Sequence, residues 1–398
     1  ADGGGAPHLR RAPQVRVHDS ASQSLHALPS NAAVSLYVCG ITPYDATHMG
    51  HAATYVAFDT LVRVWGASGA TVRYAQNVTD IDDPLIERAQ ATGRDWRDIA
   101  DEQTDLFRTD MAALRVVPPS WYIGAVESIP LVVDRVKDLG VAGSVYDVGG
   151  DLYYDVSHAH TVGKVAHLSQ GEMEKIFAER GGDPDREGKR HALDALLWKR
   201  ERPGDPSWHS DLGPGRPGWH IECAAIALEY LGATIDVQGG GSDLKFPHHE
   251  MSAAHAESAT GVRPFARTFM HTGMVGLDGR KMSKSLGNLV FVSQLRDQGT
   301  DPMAIRLAIL AHHYRSDWEW FDSGLALATS RLDRWRRAFA GDTGATDASA
   351  QVAAALADDL NTPAALDIVD RWATSPDKGH SGSPAAMAAT VDALLGVV

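Results

Sequence analysis

The sequence predicts an α/β fold in which a parallel sheet is interrupted by an inserted α+β subdomain and followed by a helical domain. Three observations predict this class. Strand, turn, helix and second strand follow one another between residues 34 and 76, which is the order typical of a parallel sheet. The same order returns between residues 222 and 271. From Pro302 onward, the pattern is almost entirely helical.

The first half of the sheet is predicted from residues 34–113, after a polar arm that contains one short strand. Residues 34–38 alternate and are rich in strand-forming side chains, and residues 71–76 form a second strand. Between them, apolar residues recur at helical spacing, and the glycines near residue 66 end the helix. Residues 84–113 are predicted as one long helix with a proline in its first turn.

An insertion is predicted to separate the two halves of the sheet. Two β-rich runs flank the turn at residues 147–151, which indicates a hairpin. Helical sequence and a long Gly- and Pro-containing loop follow. The predicted divisions are therefore residues 1–115 and 213–300 for the two halves of the sheet domain, 116–212 for the insertion and 301–398 for the helical domain.

Composition narrows the class of protein further. The net charge of −14 does not favour broad affinity for nucleic acid, and no apolar stretch is long enough to span a bilayer. Residues 1–7 lack the pattern of a secretory signal, and the chain has only two cysteines. We therefore expect a cytoplasmic protein without disulfides.

Two short motifs carry chemistry that suits phosphates. HMGH at residues 48–51 lies between a strand-end turn and a helix, where backbone N–H groups and the helix dipole favour an anion. KMSKS at residues 281–285 places two lysines between glycines, and its charge suits a departing pyrophosphate. Either motif alone is compatible with a solvated loop, but the pair in this order is specific.

The two cysteines lie far apart, and each belongs to a distinctive run. Cys39 follows the first strand, whereas Cys223 closes WHIEC and precedes FPHHE at residues 246–250. A buried cysteine is often a small apolar residue, and a helical histidine is often a satisfied polar group. Two thiols so far apart, each in a distinctive motif, nevertheless look like two halves of one zinc site.

These motifs resemble those of class I aminoacyl-tRNA synthetases, and the surrounding sequence is similar to cysteinyl-tRNA synthetase from about residue 36 to residue 288. The similarity runs through YVCGIT at 37–42, NVTDIDD at 77–83, GRPGWHIEC at 215–223 and GGGSDL at 239–244. The resemblance implies a Rossmann-like catalytic domain that uses L-cysteine and ATP with Mg²⁺, and one zinc ion held by Cys39, Cys223 and His248.

The resemblance also implies the roles of other residues. His48, His51, Lys281 and Lys284 would stabilise charge on the phosphates. Independently of the resemblance, we hypothesise that Asp243 orients or deprotonates an acceptor amine, because a carboxylate on a glycine-rich loop can reach a bound cation. The adenylate pocket would be formed by Cys39, Gly40, Ile41, Thr42, Thr54, Asn77, Val78, Thr79, Trp219, Gly241, Ser242, Asp243 and Val275.

Two departures from the synthetase favour a different acceptor. Ser252 stands where the synthetase has a glutamate as its fourth zinc ligand, and the sequence printed here has little beyond residues 361–363 for reading tRNA. Both fit a branch of the family that joins cysteine to the amine of glucosaminyl-inositol in mycothiol synthesis, and ERGGDP at residues 179–184 resembles a segment of that branch. We therefore expect a monomeric ligase that acts without tRNA.

Three other interpretations remain at this point. A short cysteinyl-tRNA synthetase would present a basic face, for which Arg331, Arg334, Arg336 and Arg337 offer some support. A non-catalytic synthetase-like module would have no need of intact His48, His51, Lys281 and Lys284. A structural zinc protein would fill all four ligand positions, and Ser252 counts against that.

Overall fold

A five-stranded parallel sheet lies at the centre of the protein, as the sequence predicts. The computed structural model describes residues 12–44, 47–277, 280–281, 289–340, 346–374 and 384–398. At residues 280, 281, 346 and 347 it describes the backbone but not the side chain. The sheet has the order β11-β10-β3-β4-β5, with all neighbours parallel. Its strands are β3 (Ala33–Val38), β4 (Thr71–Val78), β5 (Trp121–Gly124), β10 (Ile235–Gly241) and β11 (Ala266–Thr272).

Helices connect these strands and cover the sheet. The crossovers that join neighbouring strands give the β–α–β order of a nucleotide-binding fold. The helices of this part are α1 (Met49–Ala67), α2 (Asp83–Thr92), α3 (Trp96–Ala113), α4 (Ile129–Val141), α6 (Trp219–Leu231) and α7 (Glu250–Thr260). A short hairpin precedes the sheet and is formed by β1 (Arg16–Asp19) and β2 (Ser24–Ala27).

The insertion contains an antiparallel sheet of its own. Its order is β6-β7-β8-β9, formed by β6 (Val145–Val148), β7 (Asp151–Tyr154), β8 (Ala195–Arg200) and β9 (Gly215–Pro217). Strand β9 pairs with β8, so the predicted boundary at residue 212 falls before the last strand of this sheet. Helix α5 (Gln170–Glu179) packs beside it and begins with a capping box of Ser169 and Glu172. Phe177 of α5 shares a small core with Phe246 and Met251 from the second half of the main sheet domain. This core joins the insertion to the segment that contains His248.

The C-terminal part is helical and packs on α1. It contains α8 (Val292–Asp297), α9 (Pro302–Leu310), α10 (Asp322–Phe339), α11 (Thr346–Ala357), α12 (Thr362–Thr374) and α13 (Pro384–Leu395), and a small sheet of β12 (Val275–Leu277), β13 (Arg280–Lys281) and β14 (Trp318–Glu319). Arg306 is fully buried, pairs with Asp59 of α1 and donates to the carbonyl oxygens of Leu114 and Leu395. A buried arginine with all these partners fixes the C-terminal helix against α1.

Two local predictions differ from the structure. The predicted helix over residues 84–113 is two helices, because Gly93 adopts a left-handed conformation (φ 65°) and ends α2. Strand β5 was not predicted, since its four residues are too few for a clear alternation. It pairs with β4 in the main sheet, so the chain leaves this sheet only after Gly124. The predicted boundary at residue 116 therefore falls before the last strand of the first half.

Candidate metal and nucleotide site

A cavity of about 340 Å³ opens at the carboxyl ends of β3, β10 and β11, which is where ligands bind in open parallel sheets. Cys39 follows β3 at one side, and α1 begins with His48 as its N-cap at another. The lining residues are Cys39, Gly40, Ile41, Thr42, Tyr44, His48, Gly50, His51, Thr54, Tyr55, Trp219, Gly241, Asp243, Leu244, Gly273, Met274, Val275 and Leu289.

Cys39, Cys223 and His248 form a cluster beside the cavity, which we call the metal end, and of these three Cys39 lines the cavity. Their ligand atoms lie within 4.8 Å of one another, and all three residues are buried. The two sulfur atoms are 4.0 Å apart, and His248 Nε2 lies 3.1 Å from Cys223 Sγ. The sequence prediction for these three residues therefore corresponds to a real cluster, assembled from residues up to 209 positions apart in the chain.

The donor set fits zinc. Zinc–sulfur bonds of about 2.3 Å in a tetrahedral arrangement place two sulfurs about 3.8 Å apart, close to the separation seen here. Burial and the neighbouring Cys223 raise the pKa of the Cys39 thiol. Burial also opposes ionisation of Cys223, but hydrogen bonds with Cys39 and His248 outweigh it and hold the pKa of Cys223 well below its usual value. A thiolate is therefore favoured at one of the two positions, as a metal requires.

Neighbouring rings orient His248. Trp219 stacks on the His248 ring with a centroid distance of 4.3 Å, and His220 Nδ1 lies 3.0 Å from His248 Nδ1. When His248 Nδ1 donates the hydrogen bond to His220, Nε2 carries the lone pair that a metal ligand requires. His248 is thereby held with Nε2 toward Cys223, the arrangement of a metal ligand.

Ser252 does not join this cluster. Its hydroxyl donates to the carbonyl oxygen of His220 at 3.0 Å, and the side chain is fully buried. The residue at the synthetase's fourth ligand position therefore supports the turn that carries His220. Among the described residues, the metal end offers three protein ligands.

A second pair of histidines borders the metal end. His249 Nε2 lies 3.2 Å from Cys39 Sγ, and His249 Nδ1 lies 2.8 Å from His271 Nε2. His271 in turn contacts the Ser20 hydroxyl at 2.8 Å. Burial lowers the pKa of both histidines well below the usual value. A neutral His249 ring can therefore donate a hydrogen bond to the Cys39 sulfur without adding positive charge to the site.

Another part of the cavity lining, which we call the phosphate end after the role predicted for its residues, contains His48 and His51. The side chain of His48 accepts a hydrogen bond from the Gly50 N–H at 3.1 Å and caps α1. Its ring stacks on His51 at 3.8 Å. Burial, followed by the neighbouring His48, lowers the pKa of His51 well below its usual value. His51 is therefore neutral near pH 7, and its ring can donate a hydrogen bond to a phosphate oxygen.

The adenylate-pocket residues predicted from the resemblance fall into two groups. The residues of one group line the cavity, namely Cys39, Gly40, Ile41, Thr42, Thr54, Trp219, Gly241, Asp243 and Val275. Asn77, Val78, Thr79 and Ser242 are not among the lining residues. A direct contact of these four with the nucleotide remains a prediction.

Asn77 instead supports the turn after β3. Its side-chain oxygen accepts from the Gly40 N–H at 2.8 Å and from the Tyr37 hydroxyl at 3.1 Å. A Cβ atom at Gly40 would lie 1.6 Å from the Asn77 carbonyl oxygen, so this position requires glycine. Asn77 and Gly40 together fix the backbone that presents Cys39.

The side chains of two predicted phosphate-binding residues are not among the described parts of the chain. Lys284 and the side chain of Lys281 lie outside the described residues, while the Lys281 backbone forms part of β13. Tyr44, His220 and His249 were missed as site residues. Each lies within or directly beside a quoted motif, but sequence position alone did not show which of them faces the cluster.

Within the described part of the chain, none of the helices has both the length and the apolar character that crossing a membrane requires.

An open parallel sheet with helices around it, a cavity at its carboxyl edge and an N-terminal His-x-x-His turn define a nucleotide-binding protein of the class I synthetase type. The chain belongs to the family of class I (C) tRNA synthetase catalytic domains, whose family model matches residues 26–330.

The most informative relatives are ligases. The chain is 57% identical over 389 residues to the L-cysteine:1D-myo-inositol 2-amino-2-deoxy-alpha-D-glucopyranoside ligase of Thermomonospora curvata, covering 96% of this chain and 94% of the relative. It is 58% identical to the ligase of the same name from Kribbella flavida, with 96% and 95% covered.

Solved structures support the fold. The methionyl-tRNA synthetase of Mycobacterium tuberculosis in complex with methionyl-adenylate has a TM-score of 0.63 at 16% identity, covering 92% of this chain and 88% of that one. A LeuRS from Agrobacterium radiobacter K84 in a ternary complex has a TM-score of 0.63 at 13% identity, covering 92% and 83%. These likenesses concern the fold alone.

Proposed function

We propose that this protein is an ATP-dependent ligase. It activates L-cysteine as cysteinyl adenylate and transfers the cysteinyl group to the amine of glucosaminyl-inositol, forming an amide in mycothiol biosynthesis. The relatives that carry this activity in their names cover nearly the whole chain at 57–58% identity. The observation that carries the chemistry is the cluster of Cys39, Cys223 and His248. Ser252 lies outside it and donates to the His220 carbonyl, so it supplies no fourth ligand.

Zinc is the metal that fits this cluster. Cys39, Cys223 and His248 would hold it, and it would supply an open position that accepts a thiolate and discriminates against a hydroxyl. Such a site selects cysteine over serine by the strength of the metal–sulfur bond. A pocket that measured only the shape of the side chain would discriminate poorly between the two amino acids. Trp219, which stacks on His248 and lines the cavity, bounds the space next to that position.

In the first step, a carboxylate oxygen of cysteine attacks the α-phosphorus of ATP. The bond between the α-phosphorus and the bridging oxygen breaks, and pyrophosphate leaves with Mg²⁺. We assign the stabilisation of negative charge on the phosphates to His48, His51, Lys281 and Lys284. The position of His48 and His51 at the start of α1, beside the cavity, supports this assignment.

In the second step, the amine of the sugar attacks the carbonyl carbon of the adenylate. The bond from this carbon to the phosphate oxygen breaks, AMP leaves, and the amine loses a proton. Asp243 lines the same cavity and follows β10, so its carboxylate is the group that we assign to orient or deprotonate the amine.

A product assay tests the function. The purified protein is given ATP and cysteine with either glucosaminyl-inositol or tRNA, and AMP release is measured together with the mass of the product. We expect AMP release and a cysteinyl amide with the amino sugar only. Charging of tRNA without amide formation would show a short cysteinyl-tRNA synthetase instead.

A further inference from the structure

The segment that carries His248 is kinked rather than regularly helical. Phe246 has extended backbone angles (φ −134°, ψ 139°) within the helical turns that precede α7. Its carbonyl oxygen accepts a hydrogen bond from Arg180 Nη1 at 2.5 Å, across 66 residues of chain. A charged donor on a part-buried carbonyl is a strong hydrogen bond. The backbone two residues before His248 is therefore fixed by a side chain of the insertion.

Arg180 belongs to the ERGGDP run at residues 179–184, for which the catalytic chemistry provides no role. The loop turns back over α5, where the Gly182 N–H donates to the Phe177 carbonyl at 2.8 Å. A Cβ atom at Gly182 would lie 2.3 Å from the Phe177 ring, so the turn requires glycine there. This tight turn directs the chain from Arg180 back toward the insertion's sheet.

The far side of the loop is fastened to that sheet. Asp183 accepts hydrogen bonds from the Tyr153 hydroxyl and from Lys189 Nζ, the latter at 3.0 Å. The Lys189 side chain is 2% exposed and its ammonium lies over the rings of Tyr153 and Phe177. Buried polar groups that are all paired make a rigid support.

Two further contacts hold the same segment from the insertion side. The Phe246 ring packs against Phe177 in the small shared core. The buried Glu250 carboxylate accepts hydrogen bonds from the N–H groups of Gly163, Val165 and Ala166, the last two at 2.8 Å. His248 and His249, which lie between these anchors, contact Cys223 and Cys39 on the opposite side.

We propose that the loop at residues 179–184 positions the metal end, with Arg180 as the positioning residue. Its hydrogen bond to the Phe246 carbonyl sets the backbone from which His248 reaches Cys223, so the insertion determines how well the cluster holds its metal. This inference rests on the zinc site of the proposed function. It predicts that a change in this loop alters metal retention and cysteine binding while leaving ATP binding unchanged.

The test compares Arg180→Gln, Arg180→Lys and the matched control Arg190→Gln. Arg190 lies in the same subdomain, pairs with Asp155 and has a side chain that is 57% exposed. Zinc transfer from the purified protein to a chromogenic chelator is followed, and the visible spectrum of Co²⁺-substituted protein reports the ligand set. For Arg180→Gln we expect zinc release about tenfold faster and a KM for cysteine about tenfold higher, since outer-shell partners of metal ligands typically contribute about 10–100-fold.

Arg180→Lys retains a cationic donor and should fall between wild type and Arg180→Gln. If Arg180→Gln does not fold, the comparison uses Arg180→Lys, which should release zinc faster than wild type and Arg190→Gln. The proposal would be overturned if Arg180→Gln released zinc at the same rate as Arg190→Gln. It would also be overturned if Arg180→Gln raised the KM values for cysteine and ATP equally. Wild-type protein that binds neither zinc nor Co²⁺ would instead show that the metal assignment itself fails.

Discussion

The metal end takes its side chains from three separated segments, whereas the phosphate end takes both described histidines from the start of one helix. Cys39, Cys223 and His248 meet only because β3, α6 and the turn before α7 converge. His48 and His51 are neighbours through the geometry of α1 alone. The metal end is therefore a product of tertiary packing, and the phosphate end is a product of local sequence.

This difference indicates how the two specificities arise. The phosphate end uses a helix start and two imidazoles, which suit any nucleoside triphosphate. The metal end is surrounded by buried supports, among them His220, His249, Ser252 and Glu250. Selection of the amino acid should therefore depend on residues that never touch it.

The largest effect should follow from loss of a metal ligand. Cys223→Ser replaces a thiolate by a poor zinc ligand, so bound zinc should fall from one per chain to near zero. Cysteine-dependent exchange of pyrophosphate into ATP should fall more than about a thousandfold, because even outer-shell partners are worth about 10–100-fold. The KM for ATP should change little. Full zinc content in this variant would remove Cys223 from the ligand set.

His51→Ala should give the reciprocal result. Loss of one donor that stabilises charge in the transition state typically costs about 10²–10³ in rate, so pyrophosphate exchange should slow by roughly that factor. Zinc content and the KM for cysteine should match those of wild type. The exposed His160→Ala serves as the control. Loss of zinc from His51→Ala would mean that the two ends are not independent.

Asp243→Asn separates the two chemical steps. Its carboxylate is assigned to the second step, so amide formation should slow about a hundredfold, at the low end of general-base effects. Pyrophosphate exchange should stay within about threefold of wild type. Equal losses in both assays would place Asp243 in cysteine binding or adenylation.

The smallest expected effect concerns the pH dependence of folding stability, which should change when His255 is replaced. His255 is fully buried near the metal end, its ring nitrogens have no hydrogen-bond partner among the described residues, and burial lowers its pKa to about 3. The unfolded chain takes up this proton near pH 6.5 and the folded chain does not, so stability is lost as the pH falls below 6.5. The change in the free energy of unfolding caused by His255→Leu should therefore be about 2 kcal/mol more favourable at pH 5 than at pH 7. Urea unfolding at both pH values measures this.

The exposed His158→Gln is the control for that measurement, and it should show no such difference. A gain for His255→Leu that is the same at both pH values would indicate improved packing rather than loss of a buried titratable group.

The sequence was informative where structure depends on neighbours in the chain. The His-x-x-His turn, the strand before Cys39 and the hairpin of β6 and β7 were all predicted from local patterns and are present. The break at Gly93 was missed because helical periodicity continues on both sides of it. Strand β5 was missed because only its pairing with β4 makes it a strand.

The site shows the same limit. Resemblance identified Cys39, Cys223 and His248, and the structure brings them together. Nothing in the sequence indicated that Ser252 would bond to the His220 carbonyl, or that Arg180 would reach the Phe246 carbonyl. These contacts join residues 32 and 66 positions apart, and no periodicity or spacing encodes them.

The proposed function requires that the sulfur of the substrate enters the metal site. Co²⁺-substituted protein is titrated with L-cysteine and, separately, with L-serine, and the sulfur-to-cobalt charge-transfer absorption is recorded. We expect this absorption to rise with cysteine, as a third thiolate joins Cys39 and Cys223, and not to change with serine. An unchanged spectrum with saturating cysteine, or the same change with both amino acids, would contradict the proposed function.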